Sequence, residues 1–194
     1  MSPAPSRKVL ETRYPVADRW LRLRTDVVET SGDEAPSTRH VFEHPDWVDV
    51  IALTADGNIV LVEQYRHAVD EVRTEFPAGT VDAGEGPLQA IRRELLEETG
   101  YTGDRWHLLG SAPVCPAFQT NRIHSFLALD VQRRASQNPD EGEVIRAYEM
   151  PLADFIERVE TGVLELPALQ LAGLWWLLAR LRGRAAPGTS SPFP

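Results

Sequence analysis

The sequence predicts an α+β sandwich in which helices flank a mixed β-sheet. Two observations support this fold class. The predicted elements follow the order strands, helix, strands, helix, helix, and helices that alternate with groups of strands pack onto the faces of a sheet. Apolar residues make up 42% of the 194-residue chain, which is enough to fill the core of one domain of ordinary size.

Strands are predicted where apolar and polar residues alternate or where a short apolar run lies between turn residues. Before the first helix, the segments that meet this criterion are 19–30, 38–43, 47–54, 59–66 and 72–76. The sequence SGDEAPS forms a turn between the first two segments. The sequence ADGN separates the third segment from the fourth and predicts a β-hairpin.

Helices are predicted from apolar residues that recur at helical spacing. The first covers 87–99, where Pro87 suits the first turn and Gly100 suits the stop. Its apolar stripe consists of Leu88, Ile91, Leu95 and Leu96. The remaining predicted elements are strands 105–112 and 122–132 and helices 151–162 and 167–182. Residues 1–8 and 183–194 are rich in Pro, Ser, Gly and Ala, and we expect frayed termini with a disordered C-terminal tail.

The composition excludes several classes of function. The formal net charge is −9, so the chain as a whole is repelled by nucleic acid and by anionic membranes. No apolar run is long enough to span a bilayer, and the start MSPAPSRK lacks the apolar core of a signal peptide. Cys115 is the single cysteine, which rules out an internal disulfide and fits a reducing compartment. We therefore expect a cytoplasmic protein in which Cys115 is an inert thiol.

One segment, GTVDAGEGPLQAIRRELLEETGY (79–101), crowds carboxylates onto the first helix. Glu94, Glu97 and Glu98 are related by helical spacing, so their side chains project from one face within one turn. Carboxylates held this close repel one another unless a cation lies between them. Oxygen ligands suit hard cations, and magnesium in particular shares its coordination with water and substrate phosphate. The alternative is a solvated acidic face that pairs with the two neighbouring arginines.

The spacing of the segment favours the metal-site interpretation. The pattern is G-x5-E-x7-R-E-U-x-E-E-x-G-U, where U is a bulky apolar residue, and the residues that fit it are Gly79, Glu85, Arg93, Glu94, Leu95, Glu97, Glu98 and Gly100. At ordinary residue frequencies, chance agreement is on the order of one in a million. This pattern resembles the Nudix box, the signature of the Nudix hydrolase family. Tyr101 takes the last position instead of an aliphatic residue, a departure that concerns packing and not chemistry.

The resemblance implies both a fold and an activity. Nudix proteins form an α/β/α sandwich, and the strand pattern on both sides of the box is similar to that fold. Nudix hydrolases cleave a nucleoside diphosphate linked to another group, with the help of divalent metals. By this resemblance, residues 45–182 form the hydrolase domain. Residues 1–44 form a small antiparallel sheet that pairs subunits, so the resemblance implies a homodimer.

The same resemblance assigns metal ligands within and beside the box. Glu94 and Glu98 are implied as the principal ligands of Mg²⁺, for which Mn²⁺ is a substitute. Glu97 is implied as a third ligand. The backbone carbonyl just before the first box glycine, at Ala78, is implied as a further ligand.

Further stretches narrow the resemblance to the ADP-ribose pyrophosphatase and nucleotide-sugar hydrolase branch. EFPAG (75–79) leads into the box, QYRH (64–67) precedes it, and Pro116 lies 16 residues past the last box glycine. The branch commonly has Pro-Gly where this chain has Pro116-Ala117, which affects the expected turn geometry. The substrate contacts implied by this branch are Arg66, Trp47, Glu75, Pro116 and Phe118.

Several of these residues carry alternatives that the sequence leaves open. Arg66 ends a strand near the box loop, where its guanidinium suits diphosphate oxygens, or it forms a structural ion pair. Trp47, like Trp20, stacks on a base, faces a subunit interface or packs in the core. His67 and His124 are expected to be structural, since no second His or Cys lies at ligand spacing from either.

The resemblance also implies catalytic residues. Glu85 helps indirectly or through a bound water, and Arg93 orients one of the glutamates through a salt bridge. The branch often takes its general base from a later acidic loop, and the matching stretch here is NPDEGEVI (138–145). Glu141 and Glu143 are the candidates, and the sequence does not choose between them; solvated loop charges are the alternative. A flexible loop would let the base close over the substrate.

The leading hypothesis is Mg²⁺-dependent hydrolysis of the pyrophosphate bond of ADP-ribose, giving AMP and ribose 5-phosphate. The close alternative is a pyrophosphatase of a GDP- or ADP-hexose. A nucleoside triphosphate pyrophosphatase is disfavoured by QYR, EFPAG and Pro116. A non-catalytic module that binds ADP-ribose and regulates a partner is disfavoured because the box retains all its charged positions.

Overall fold

The computed structural model describes residues 6–18, 21–33, 35–139 and 142–184. The chain divides into two compact units. One unit consists of Met1–Pro45 and Pro113–Arg122, and the other of Asp46–Ala112 and Ile123–Pro194. No helix among the described residues is long and apolar enough to cross a membrane.

The first unit is built on a three-stranded antiparallel sheet, as expected for the N-terminal segment. Its strands, in spatial order, are β1 (Arg7–Ala17), β2 (Arg22–Thr30) and β3 (Ser37–Glu43). The loop 113–122 runs beside β3. The Phe42 N–H donates to the Phe118 carbonyl (2.7 Å), and the Thr120 N–H donates to the Phe42 carbonyl (3.2 Å). β1 is an edge strand, and all of its residues are exposed.

The second unit holds a mixed seven-stranded sheet flanked by helices, which confirms the predicted fold class. The strands that follow β3 are β4 (Trp47–Leu53), β5 (Asn58–Arg66), β6 (Glu71–Glu75), β7 (Ala78–Thr80), β8 (Tyr101–Thr102), β9 (Arg105–Pro113), β10 (Arg122–Leu129), β11 (Gln132–Arg133) and β12 (Ile145–Pro151). The helices are α1 (Pro87–Thr99), α2 (Leu152–Glu160) and α3 (Ala168–Arg184). The sheet has the order β12-β5-β4-β10-β9, with β4 and β10 parallel, while β8 and β11 form a separate pair.

The strands β4 and β5 pair with each other only near the turn that joins them. Farther from the turn they separate, and a single segment fills the gap. This segment pairs first with β5 as β6 and then with β4 as β7. It changes partner at Phe76 and Pro77, so the short strand β7 lies inside the sheet beside Trp47–Asp49.

Alternation along the strands divides the core into two layers. One layer packs Val48, Val50 and Phe126 of the sheet with Ile91 and Leu95 of α1. The other layer joins sheet residues to α2 and α3, and its largest fully buried members are Phe76, Phe155, Ile51, Ile59, Leu61, Leu127 and Leu177. Burial of each such side chain contributes roughly 1.5–3 kcal/mol. The two layers therefore hold helices on both faces of the sheet.

The helix α1 covers the residues predicted for it, and local sequence explains both ends. Pro87 occupies its first turn, and the Gly100 N–H donates to the Leu96 carbonyl (2.8 Å). Gly100 has a φ of 77°, a left-handed conformation that favours glycine. A Cβ at this position would also overlap the carbonyl oxygen of Ala135.

The predicted apolar stripe of α1 is wrong in part. Leu88 and Leu96 are 38% and 39% exposed. The buried face instead consists of Ala90, Ile91, Leu95, Glu98 and Thr99. This face packs on the sheet, and it brings one of the three clustered carboxylates into the interior.

Other elements differ from the prediction at their ends or were not predicted. The strands β1, β7, β8 and β12 were not predicted, and β1 also begins at Arg7, inside a stretch predicted to be frayed. The predicted strand 122–132 breaks into β10 and β11 because Asp130 has a left-handed φ of 54°. Helices 151–162 and 167–182 correspond to α2 and α3. Residues 185–194 of the predicted tail lie outside the described residues.

We expect Gly100→Ala to lower the free energy of unfolding by more than about 1–2 kcal/mol, which is the cost of a left-handed backbone for a residue with a Cβ. The excess comes from the overlap with Ala135. Gly84→Ala is the matched control, because Gly84 also has a positive φ (85°) but open space around the added Cβ. Urea denaturation of both variants measures the difference. Equal destabilisation would contradict the close approach at Gly100.

Candidate active site

Two of the three clustered glutamates of α1, Glu94 and Glu98, lie against the short strand β7. The Glu98 carboxylate accepts a hydrogen bond from the Ala78 N–H (3.0 Å). The next residue, Gly79, lies directly under the Glu94 side chain, because a Cβ on Gly79 would overlap the Glu94 carboxyl group. Glycine at position 79 therefore lets the Glu94 side chain lie close to the strand, and the helix and the strand meet at this point.

Glu98 is a buried carboxyl group in a field of like charges. The residue as a whole is 5% exposed. Burial is the main cause that raises the pKa of Glu98 to about 8, with the charges of Glu94 and Glu143 acting in the same direction. The Ala78 N–H and the Arg66 charge act to lower the pKa of this group. An ionised Glu98 thus lacks a full counter-charge in this arrangement of the protein.

Arg93 balances the charge of the other carboxylates. Its guanidinium contacts Glu94 (2.9 Å), Glu97 (3.1 Å) and Glu85 (3.1 Å). It also donates to the Thr80 carbonyl of β7 (3.1 Å). The bond to Glu85 is the main cause that raises the pKa of Arg93, and Arg93 in turn holds the pKa of Glu85 below its usual value. Arg93 therefore ties the glutamates of α1 to β7 and to the loop before the helix.

The arrangement of these carboxylates can be compared with that of a divalent-cation site. Among the described residues, no group of three or more Asp, Glu, His or Cys side chains is already arranged as a metal site. The contacts explain this, since Arg93 holds Glu94 and Glu97, and Glu98 accepts the Ala78 N–H. The donor set nevertheless fits a hard cation in its chemistry. It consists of oxygens, and it includes a buried carboxyl whose ionisation a nearby positive charge would favour.

Arg66 and Glu75, both expected to contact substrate, bind each other. The Arg66 guanidinium donates to both carboxylate oxygens of Glu75, at 2.8 and 2.7 Å. Glu75 is buried, while the Arg66 side chain is 44% exposed. The structural ion pair that was the alternative for Arg66 is therefore present. Arg66 also lies within electrostatic reach of Glu98 and Glu143, whose charges raise its pKa after the larger effect of Glu75.

The acidic stretch before β12 reaches the same region through Glu143. Gln64 of β5 donates from its side-chain amide to the Glu143 carboxylate (3.3 Å). The charge of Glu143 is one of the causes that raise the pKa of Glu98. Glu141, the other candidate base, lies outside the described residues.

The remaining predicted residues are found in both units. Trp47 of β4 lies opposite Thr80 of β7, next to the glycine that contacts Glu94. Pro116 and Phe118 belong to the first unit, where the Phe118 ring packs edge-on against Phe42, with ring centroids 5.9 Å apart. His124 bonds to Asp46 (3.0 Å). Trp20 lies outside the described residues.

Two glutamines near the site were not predicted. Gln137 donates to the carbonyls of Glu98 and Ile145, and so joins the end of α1 to the start of β12. Gln170 of α3 bonds to the backbone of Phe76. The one available signal was for Gln170, a polar residue inside the apolar run PALQLAGLWWLL.

Comparison with known proteins adds family evidence to this geometry. Residues 43–169 match the NUDIX domain. The chain is 32% identical to the methanol dehydrogenase activator of Bacillus methanolicus, over 79% of this chain and 83% of that protein. It is 34% identical to the ADP-ribose pyrophosphatase of Bacillus subtilis (strain 168), over 79% of this chain and 83% of that protein. It is 30% identical to the GDP-mannose pyrophosphatase of Cronobacter sakazakii, over 86% of this chain and 94% of that protein.

A solved structure supports the fold. The crystal structure of an ADP compounds hydrolase superposes with a TM-score of 0.79, covering 95% of this chain and 99% of that chain at 19% sequence identity. The domain match spans well over half of the residues and contains the whole glutamate segment. The protein therefore belongs to the NUDIX family.

Proposed function

We propose that the protein hydrolyses the pyrophosphate bond of nucleoside diphosphate sugars, and that ADP-ribose is its preferred substrate. Cleavage of ADP-ribose by water gives AMP and ribose 5-phosphate. The observation that carries this proposal is the position of Glu98, which is buried against Ala78 in the middle of an intact Nudix box. Similarity to an ADP-ribose pyrophosphatase at 34% identity supports the choice of substrate.

Two other functions have a specific observation in their favour. Hydrolysis of a GDP-hexose or ADP-hexose is supported by the similarity to a GDP-mannose pyrophosphatase. A regulatory role toward a partner enzyme, with binding of ADP-ribose but no turnover, is supported by the similarity to a methanol dehydrogenase activator. The retained contacts of Arg93 with three box glutamates favour catalysis over binding alone.

The cation of this site is proposed to be Mg²⁺, with Mn²⁺ as a substitute. Glu94, Glu97, Glu98 and the Ala78 carbonyl would hold it. When bound, such a cation offsets the charge of the pyrophosphate and lowers the pKa of water at the site. Arg93 holds the carboxylates toward β7, and this arrangement keeps the ligands of α1 close to the Ala78 backbone.

The proton of the attacking water needs an acceptor, and we assign this role to Glu143. The Gln64 amide donates to the Glu143 carboxylate, and the charge of Glu143 is one of the causes that raise the pKa of Glu98; both observations support this assignment. Arg66, fixed by Glu75, keeps more than a third of its side chain exposed and is proposed to contact a phosphate oxygen. Trp47, Glu75, Pro116 and Phe118 remain proposed contacts or supports for the substrate.

We further propose a cytoplasmic homodimer in which residues 1–44 form the arm between subunits and residues 45–182 form the hydrolase domain. The strand β1 supports this arm, because an exposed edge strand readily pairs with another chain. Its exposed apolar residues are Val9, Leu10, Tyr14 and Val16.

The function is tested by a hydrolysis assay with Mg²⁺ on ADP-ribose, GDP-mannose, ADP-glucose and dGTP. We expect metal-dependent release of AMP from ADP-ribose to be the fastest reaction. Glu98→Gln, which cannot supply a carboxylate to the cation, should lower turnover at least about a thousandfold. Glu160→Gln, a change at an exposed position at the end of α2, is the control and should leave turnover unchanged.

The alternatives give different results in the same assay. Faster turnover of a hexose-linked nucleotide would contradict the choice of ADP-ribose. Tight binding of ADP-ribose with no turnover of any compound would contradict the hydrolase assignment. Near-normal turnover by Glu98→Gln would contradict its role as a metal ligand.

The assignment of the base is tested by comparing Glu143→Gln with Glu141→Gln. We expect Glu143→Gln to lower kcat by about 10²–10⁴, the usual contribution of general-base catalysis, and to remove the acidic limb of the pH–rate profile. Glu141→Gln serves as the matched control, since it removes the same charge two residues away in the chain. The reverse order of effects would assign the base to Glu141.

A further inference from the structure

The crossing from β6 to β7 poses a hydrogen-bonding problem. Phe76 lies between the residues that pair with β5 and those that pair with β4. Its side chain is fully buried. Since a buried backbone N–H or carbonyl without a partner is costly, the peptide groups of Phe76 need partners from outside the two strands.

Gln170 supplies both partners from the other side of the core. The Phe76 N–H donates to the side-chain oxygen of Gln170 (2.7 Å), and the side-chain nitrogen of Gln170 donates to the Phe76 carbonyl (3.0 Å). Gln170 is 4% exposed and lies in the first turn of α3. One amide side chain thus replaces the neighbouring strand that Phe76 lacks.

The position of Phe76 affects two groups of the active site. Glu75, immediately before it, forms the two-bond ion pair with Arg66. Ala78, two residues after it, donates to Glu98. The intervening Pro77 has a restricted φ and its carbonyl accepts from the Val50 N–H (3.0 Å). A shift of the Phe76 peptide would therefore also move Glu75 and Ala78, because the restricted backbone between these residues cannot compensate for it.

We propose that Gln170 is a positioning residue of the active site. It holds the Phe76 peptide, and through it the backbone of Ala78 and the Arg66–Glu75 pair, in register with Glu98. This inference rests on the proposed function in one respect: the carboxylates of α1 and the backbone of β7 bind a divalent cation together. It predicts that loss of the Gln170 amide weakens cation binding although Gln170 contacts neither the cation ligands nor the substrate.

The test compares Gln170→Met and Gln170→Glu with the wild-type protein. Gln170→Met keeps the approximate volume and removes both hydrogen bonds. Gln170→Glu keeps both bonds while the introduced carboxyl is protonated, since a carboxylic acid both donates and accepts, and it loses the bond to the Phe76 carbonyl on ionisation. Gln89→Met and Gln89→Glu, at an exposed position of α1, are the matched controls.

Three quantities are measured, and the first two need no turnover. They are Mn²⁺ affinity by electron paramagnetic resonance, deuterium exchange of residues 75–80 in the metal-free protein, and the kinetics with ADP-ribose. For Gln170→Met we expect Mn²⁺ affinity and kcat to fall at least tenfold, faster exchange in this segment, and a KM within about threefold of wild type. For Gln170→Glu we expect near-wild-type values at low pH and a progressive loss at higher pH that Gln89→Glu does not show.

The outcomes separate this inference from the proposed function. Wild-type Mn²⁺ affinity and exchange in a folded Gln170→Met variant would overturn the positioning role. If Gln170→Met does not fold, the Mn²⁺ affinity of Gln170→Glu relative to wild type at each pH decides, and a ratio that stays constant with pH overturns the role. If the wild-type protein hydrolyses no nucleotide, the proposed function fails, but the Mn²⁺ affinities still decide the role of Gln170.

Discussion

The hydrogen bond from the Ala78 N–H to Glu98 is the contact on which the arrangement of the site depends. It joins α1 to β7, and these two elements carry all the proposed metal ligands. The bond forms because the buried face of α1 runs through Glu98 and not along the apolar stripe alone. Gly79, the next residue, lets the Glu94 side chain lie close to the same strand, since a Cβ there would overlap the Glu94 carboxyl group. A carboxyl group is thereby placed where hydrophobic packing alone would place a leucine.

The free-energy cost of burying the Glu98 carboxylate depends on the charges of the surrounding residues. A carboxylate in the interior loses its hydration, and in this site the nearby charges of Glu94 and Glu143 add to the loss. Arg93 offsets the charge of Glu85, Glu94 and Glu97, and Arg66 offsets part of the charge near Glu98. Glu98 itself has no ion pair among the contacts of the described residues. A cation would complete this balance, which gives the NUDIX box a physical reason to carry more acidic than basic residues.

Much of the site was predictable because its determinants are local. Pro87 and Gly100 delimit α1 within the sequence, and the helical spacing of the glutamates follows from the helix. The Arg93 network also lies within one short segment. Four strands were missed, namely β1, β7, β8 and β12. The strands β7 and β8 have only three and two residues, and β12 directly follows an acidic stretch of the sequence. An ion pair was an alternative for Arg66, but its partner Glu75 was not identified, because that depends on how β5 and β6 pair. The contact of Gln170 with Phe76 was missed because it depends on how elements far apart in the chain pack. The residue type at position 170 does not by itself predict a hydrogen bond to a backbone group 94 residues away in the chain.

The central claim is that Glu98, buried against the Ala78 N–H, is a carboxylate ligand of the cation. Calorimetry of Mn²⁺ binding in buffers of different ionisation enthalpy measures the protons released. With the pKa of Glu98 at about 8, binding should release close to one proton at pH 7 and little at pH 9 or above. Glu98→Gln should release none at either pH. Binding without proton release at pH 7, or equal release by the wild-type and Glu98→Gln proteins, would contradict the account.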